Sequence, residues 1–247
     1  MKIGLFIPCY IDQFYPEVGK ISYLLLQKLG HEVYVPMDVQ CCGQPIANAG
    51  YEDLAKPLYN KFVEQYKDFD MVVMPSGSCT YHIKSHYTNV EQSEQLKKIR
   101  RVTIDICDFL LKYEKDNLPK VEFSGKVALH TGCHSLRGLR FGEGSEIHKK
   151  PHSKLKELLS YAENAIVNDL DRPDECCGFG GTFAIAEEAI SVKMGNDKIR
   201  DVKRQEVDYL ISNDMSCLMH LGGIIKKKKE KIKVMHVIEI FKDFVNG

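Results

Sequence analysis

Apolar residues in this chain gather into short runs separated by longer amphipathic stretches, and the order of runs occurs twice. Residues 2–7 are short and apolar and read as a buried strand. Residues 21–29 carry apolar side chains at helical spacing and stop at Gly30, a helix with its C-terminal glycine. A strand over 31–36, a helix over 51–66 and a strand over 71–74 follow, the last ending at Pro75. Residues 102–105 read as a strand that runs into a helix over 106–111. The pattern then restarts. Strands are expected at 126–130, 165–168 and 209–212, with helices at 153–161 and 187–204 between them, and 234–241 mirrors the strand-plus-helix at 102–111. Strands alternating with helices predict parallel pairing through right-handed crossovers. The expected fold is α/β: two similar, pseudo-repeated units over 1–120 and 121–247, each a short parallel sheet flanked by helices. The seam is placed in the polar stretch 115–120.

Cysteine positions sharpen this picture. The stretch Asp174-Glu175-Cys176-Cys177-Gly178-Phe179-Gly180-Gly181 has an upstream echo, Gln40-Cys41-Cys42-Gly43-Gln44. Each copy has one cysteine well before it and one well after: Cys9 and Cys79 for the first, Cys133 and Cys217 for the second. Eight of the nine cysteines thus form two parallel quartets, and each follows a predicted strand. Ligands of parallel α/β sheets bind beyond the carboxyl ends of the strands, so residues far apart in sequence can meet there. Four thiolates make a complete ligand set for an iron–sulfur cluster or for zinc. The glycine after each pair suits a turn with positive φ that aims both sulfurs one way. Buried cysteines are often no more than small apolar residues; that account suits Cys107, which lies on an apolar helical face and has no echo in the second half.

The order Cys, Cys-Cys-Gly, Cys, present twice, resembles the cysteine-rich "CCG" domain family, whose members include a component of heterodisulfide reductase and the iron–sulfur component of glycolate oxidase. The wording is closer to the lactate-utilisation A branch of that family. The segments that carry the resemblance are residues 41–45, 75–80, 130–134, 176–183 and 217–223. The resemblance implies an iron–sulfur subunit that passes electrons while L-lactate is oxidised to pyruvate, an oxidoreductase component working beside companion lactate-utilisation proteins, a second iron–sulfur protein among them. Carried over residue by residue, the cluster ligands are Cys9, Cys41, Cys42 and Cys79 in one half and Cys133, Cys176, Cys177 and Cys217 in the other. The broad family motif ends in Cys-x-x-Cys, but the first of those positions is Ser76 in one repeat and Asp214 in the other. A four-thiolate [4Fe–4S] site in each repeat is therefore the simpler expectation, with zinc in one half as the alternative.

Around the quartets, His130 and His134 stand as a proton relay or an extra ligand, set against a loop-fixing role. His220 and His236 are expected to satisfy local backbone. Arg137 and Arg140 lie near a candidate ligand and offer a carboxylate clamp, set against plain solvation. The run 226–229 of four lysines reads as a solvated face, with docking of an acidic partner as the other reading.

Bulk numbers exclude several classes. Lys plus Arg and Asp plus Glu are 34 each in 247 residues, so no net field recruits nucleic acid or anionic membrane. No run is long and apolar enough for a signal-peptide core or a membrane span, which places the protein in the cytoplasm, where nine cysteines speak for metal or redox chemistry rather than a disulfide framework. No P-loop and no dinucleotide fingerprint is present. Two further functions stay open at this level: a heterodisulfide-type thiol–disulfide redox enzyme, which needs reactive low-pKa thiols, and a zinc-stabilised interaction module, which is colourless and unfolds on chelation.

Overall fold

A computed structural model describes residues 1–38, 41–148 and 152–247. Gln40, which precedes the first cysteine pair, lies outside the described residues. The chain divides into two compact units, Met1–Asn117 and Leu118–Gly247.

The first unit is built on four parallel strands: β1 (Lys2–Leu5), β2 (Glu32–Tyr34), β3 (Met71–Met74) and β4 (Thr103–Asp105). Their order is β2-β1-β3-β4, and Ile3 is registered against Val33 on one side and Met71 on the other. The second unit holds β5 (Val121–Leu129), β6 (Ala162–Val167), β7 (Tyr209–Ser212) and β8 (Lys233–His236), again all parallel, in the order β6-β5-β7-β8. Each sheet grows one way from its first strand and then crosses to the other side. Each unit therefore has a topological switch point, between β1 and β3 and between β5 and β7, where the loops beyond the strands diverge and leave a crevice.

The predicted elements are present, with informative differences at their edges. The helix expected from 21 starts at Pro16 and runs to Lys28, because proline's fixed φ suits a first helical turn that has no donor to lose. Strand β5 begins five residues earlier than expected; its register breaks between Glu122 and Gly125, which hides the alternation from a periodicity reading. Several helices escaped prediction, Glu94–Val102 and two that matter for the cysteines among them: Gly77–His86, after β3, and Met215–Lys227, after β7. Of these two, the first is short and mixed in polarity along its faces, with Gly77, Cys79, Thr80, His82 and Ile83 all buried, so no amphipathic stripe announces it.

The core of the first unit is aromatic. Phe6 meets Phe62 edge-on at 5.3 Å, Phe62 stacks on Tyr66 at 4.6 Å, and Tyr59 stacks on Tyr87 at 3.9 Å. Offset and edge-on pairs of this kind add to the stabilisation from area burial alone. Among the described residues no helix is long and apolar enough to cross a membrane.

Candidate metal centre

In the first unit the cysteines arrive from three strand ends. Cys9 opens the helix Cys9–Phe14 just past β1, and Cys79 lies in the first turn of Gly77–His86 just past β3. Cys41 and Cys42 follow β2 and lead into Gly43, at φ 88°. A Cβ on Gly43 would lie 2.6 Å from the Tyr59 ring, so both backbone sign and space require glycine there. The four thiols form a chain of contacts from Cys9 to Cys41 to Cys42 to Cys79, with Cys42 Sγ 3.3 Å from Cys79 Sγ. Cys9 is exposed, Cys41 half-buried, and Cys42 and Cys79 buried.

The second unit repeats the arrangement. Cys133 follows β5 and opens a short helical turn whose His134–Gly138 stretch has π-type hydrogen bonding, a form often found at functional sites. Cys217 lies in the first turns of Met215–Lys227 after β7, and Cys176 and Cys177 lead into Gly178 at φ 89°. Contacts again run from Cys133 to Cys176 to Cys177 to Cys217. The structure thus brings each predicted quartet together, at the carboxyl edge of its own sheet. Cys107 is fully buried in Ile106–Tyr113, apart from both quartets.

Electrostatics follow the same duplicate plan. Hydrogen bonds from the Cys42 and Cys9 thiols, helped by the Gly43 N–H at 3.4 Å, hold Cys41 as a thiolate, its pKa pushed down to about 3. Hydrogen bonds from Cys133 and Cys177, with the Gly178 N–H at 3.3 Å, push Cys176 down to about 2. The donors show the converse: hydrogen bonding to Cys41 and then burial raise Cys9, and hydrogen bonding to Cys41 and Cys79 raises Cys42. Cys133 and Cys177 are raised in the same way beside Cys176. One sulfur in each quartet ionises readily, and its two thiol neighbours, Cys9 and Cys42 in the first and Cys133 and Cys177 in the second, are held back by it. Like charges this close cannot all form unless a cation joins them. A soft metal or an iron–sulfur cluster is the group whose positive charge lets all four ionise, so the donor set fits such a group.

Comparison with known proteins agrees with this geometry. The family model described as the cysteine-rich domain, CCG, matches residues 3–84 and again 127–222. The chain belongs to the cysteine-rich CCG domain family. The two CCG matches span both quartets. Among curated relatives, lactate utilization protein A 2 of Bacillus cereus (strain Q1) is 35% identical over 97% of this chain and 97% of its own. Lactate utilization protein A of Bacillus subtilis (strain 168) is 35% identical over 97% and 98%, and that of Geobacillus thermodenitrificans (strain NG80-2) is 36% identical over 97% and 98%.

Where the broad CCG motif has one further cysteine, the two units place helix N-caps. Ser76 Oγ accepts from the Cys79 N–H at 3.3 Å and bonds the Tyr10 hydroxyl at 2.8 Å. Asp214 Oδ1 accepts from Ser216 N at 3.1 Å. Both side chains satisfy the helix that carries the last cysteine of the quartet. Strand, then Ser or Asp, then that cysteine is a capping signal visible in the sequence; it would have located both of these helices.

The neighbouring residues divide clearly. His236 Nδ1 accepts from the local Ile238 N–H at 3.2 Å, as expected, whereas His220 Nε2 faces the carbonyl of Ser191 at 3.3 Å, 29 residues away on the helix Glu188–Arg204. Arg137 forks onto Glu146 at 2.8 and 3.1 Å and lies 3.6 Å from Asp174, so its clamp is filled by the chain's own carboxylates. Arg140 occupies a left-handed turn, φ 57°. Lys226 and Lys227 close the last turn of Met215–Lys227, where cations suit the helix dipole. Sequence reasoning missed His82, buried and bonded to the Tyr59 hydroxyl at 3.0 Å, although the spacing Cys79–His82 repeats as Cys217–His220. Tyr87 was missed as well; its hydroxyl donates to the Cys42 carbonyl at 3.0 Å.

Proposed function

We propose that this protein is an iron–sulfur electron-transfer subunit of an L-lactate oxidation system, working in the cytoplasm with companion lactate-utilisation proteins, a second iron–sulfur protein among them. The observation that carries the reading is the convergence of two four-cysteine sets on equivalent sheet edges. Cys9, Cys41, Cys42 and Cys79 would hold one cluster, and Cys133, Cys176, Cys177 and Cys217 the other, each of the four-thiolate [4Fe–4S] kind. The names of the relatives supply lactate; the thiolate sets supply the redox role.

A bound cluster supplies one-electron redox chemistry. The chain's own residues hold and shield it. Backbone N–H groups of Gly43, Gly178 and Phe179 point at cysteine sulfurs at 3.4, 3.3 and 3.5 Å and stabilise negative charge there. Within each unit, buried Cys42 and Cys79, or buried Cys177, face the core, while exposed Cys9 in the first unit and half-buried Cys133, Cys176 and Cys217 in the second are the sulfurs solvent and a redox partner would approach. Such hydrogen bonds and exposure set reduction potential.

Anaerobic purification with iron, acid-labile sulfide and zinc analysis, beside a visible absorption spectrum, tests the proposal. Brown protein with about eight irons and matching sulfide is expected for two four-iron clusters. Colourless protein holding zinc overturns it in favour of a structural metal site. A second reading draws on the low-pKa thiolates Cys41 and Cys176, which are the nucleophiles a disulfide-cleaving enzyme needs. Metal-free protein that turns over a disulfide substrate would establish that reading instead.

A further inference from the structure

The two quartets match, but the residues beneath them do not. Phe6 stands three residues before Cys9; at the same offset before Cys133 stands His130. The partner across the core changes with it. In the first unit Gly43 lies against Tyr59, and Phe62, three residues on, packs edge-on against Phe6. In the second unit Gly178 lies against Met194 and Ser191, and one turn further along the same helix the Lys198 charge acts on His130. An aromatic pair under the first centre is therefore replaced by a histidine and a lysine under the second.

Both replacements are fully buried. Lys198 Nζ donates to the Arg172 carbonyl at 2.6 Å. His130 has no hydrogen-bond partner at either ring nitrogen. A neutral imidazole carries one donor and one acceptor, and leaving both unpaired in a closed interior is costly unless something absent from the polypeptide meets them. A His130 ring nitrogen and the sulfurs of Cys177 and Cys217 all lie within 4.8 Å of one another, so that something is whatever the second quartet holds.

We propose that His130, at the position where the first centre has Phe6, donates a ring N–H hydrogen bond to the second centre, and that this makes the second the more easily reduced of the two. This rests on the iron–sulfur reading above. Reduction adds negative charge to a cluster, and a donor aimed at its sulfur favours that charge; the equivalent position under the first centre, Phe6, has no polar hydrogen to donate. Two centres in one chain, built from the same four ligands, would then differ in potential because of their surroundings alone.

The test is an anaerobic redox titration of the intact protein, followed by electron paramagnetic resonance, with pulsed measurements on protein labelled with 15N-histidine. Two midpoint potentials are expected, together with a hyperfine coupling to histidine nitrogen on the higher-potential signal. His130→Phe should remove that coupling and lower the higher midpoint by about tenfold in equilibrium constant, about 59 mV for one electron, with iron and sulfide content kept and the lower midpoint unmoved. His130→Gln, which retains an N–H, should recover most of the shift. Should the variants fold poorly, the labelled wild type decides alone: fully loaded protein without a histidine-nitrogen coupling overturns the proposal. A midpoint unchanged in loaded His130→Phe protein also overturns it. Protein that takes up no iron overturns the iron–sulfur reading and this inference together, a result that metal analysis separates from the others.

Discussion

Replacing Gly178 with alanine isolates what the turn after the second cysteine pair costs. Gly178 holds φ 89°, and an added Cβ would sit 2.7 Å from Met194 Cβ and 2.7 Å from the Ser191 carbonyl oxygen. Neither atom can swing aside, because both belong to the framework of the helix Glu188–Arg204. Two penalties add: about 1–2 kcal/mol for an L-residue in left-handed backbone, and about 1–3 kcal/mol for forcing atoms into a filled interior. Gly181 provides the control. It too has positive φ, 67°, but a Cβ there meets nothing within 4 Å, so Gly181→Ala carries the backbone penalty without the collision. Both variants gain the same unfolded-state restriction, about 0.4–1 kcal/mol, and the difference between them measures the collision. Urea unfolding of the reduced, metal-free proteins should place Gly178→Ala about 1–3 kcal/mol below Gly181→Ala. Its helix must give way to accept the methyl group, so Gly178→Ala should also lose metal from the second centre. Equal midpoints for the two variants would refute the claim that close approach to the helix fixes this turn.

Three other outcomes are expected. Cys177→Ser should remove the second centre and halve the iron content, whereas Cys107→Ala, in the core and away from both quartets, should leave metal unchanged while lowering stability; metal analysis of the two variants checks this. Tyr87→Phe leaves the buried Cys42 carbonyl without its donor and should cost about 1–3 kcal/mol in urea unfolding, with metal loss confined to the first centre. Burial, reinforced by the Lys198 charge, pushes His130 down to about 4 from 6.5. The unfolded chain therefore binds a proton between pH 6.5 and 4 that the folded protein resists, and stability present above pH 6.5 is lost as pH falls through that window, by about 3 kcal/mol. Metal-free His130→Phe should show a correspondingly flatter acid limb in its stability profile.

The fold was legible where burial and periodicity coincide. The runs 71–74 and 209–212 match β3 and β7 residue for residue because central parallel strands are continuously apolar. The helices that present Cys79 and Cys217 were not legible. Gly77–His86 is rich in Gly, Ser, Thr and His, and Met215–Lys227 is interrupted by Gly222 and Gly223; tertiary packing and the Ser76 and Asp214 caps help hold them. The membership of each quartet could be read from order alone, since topology delivers strand-end residues to one edge. What order could not reveal was the layer beneath. His130 could be singled out as a relay, an extra ligand or a loop-fixing residue, but its contrast with Phe6 emerges only when the structure places Phe6 against Phe62 and His130 beside Cys177 and Cys217.

The derivation of each quartet from three separate strand ends constrains how the protein matures. Cys9, Cys42 and Cys79 have no reason to be neighbours until β2, β1 and β3 have paired, and parallel pairing of distant segments is among the slower steps of folding. A nascent chain thus presents scattered thiols, not a receptor. On the iron–sulfur reading, a cluster would be delivered to each unit after that unit has folded, past exposed Cys9 in the first, and its arrival would seal an architecture built beforehand.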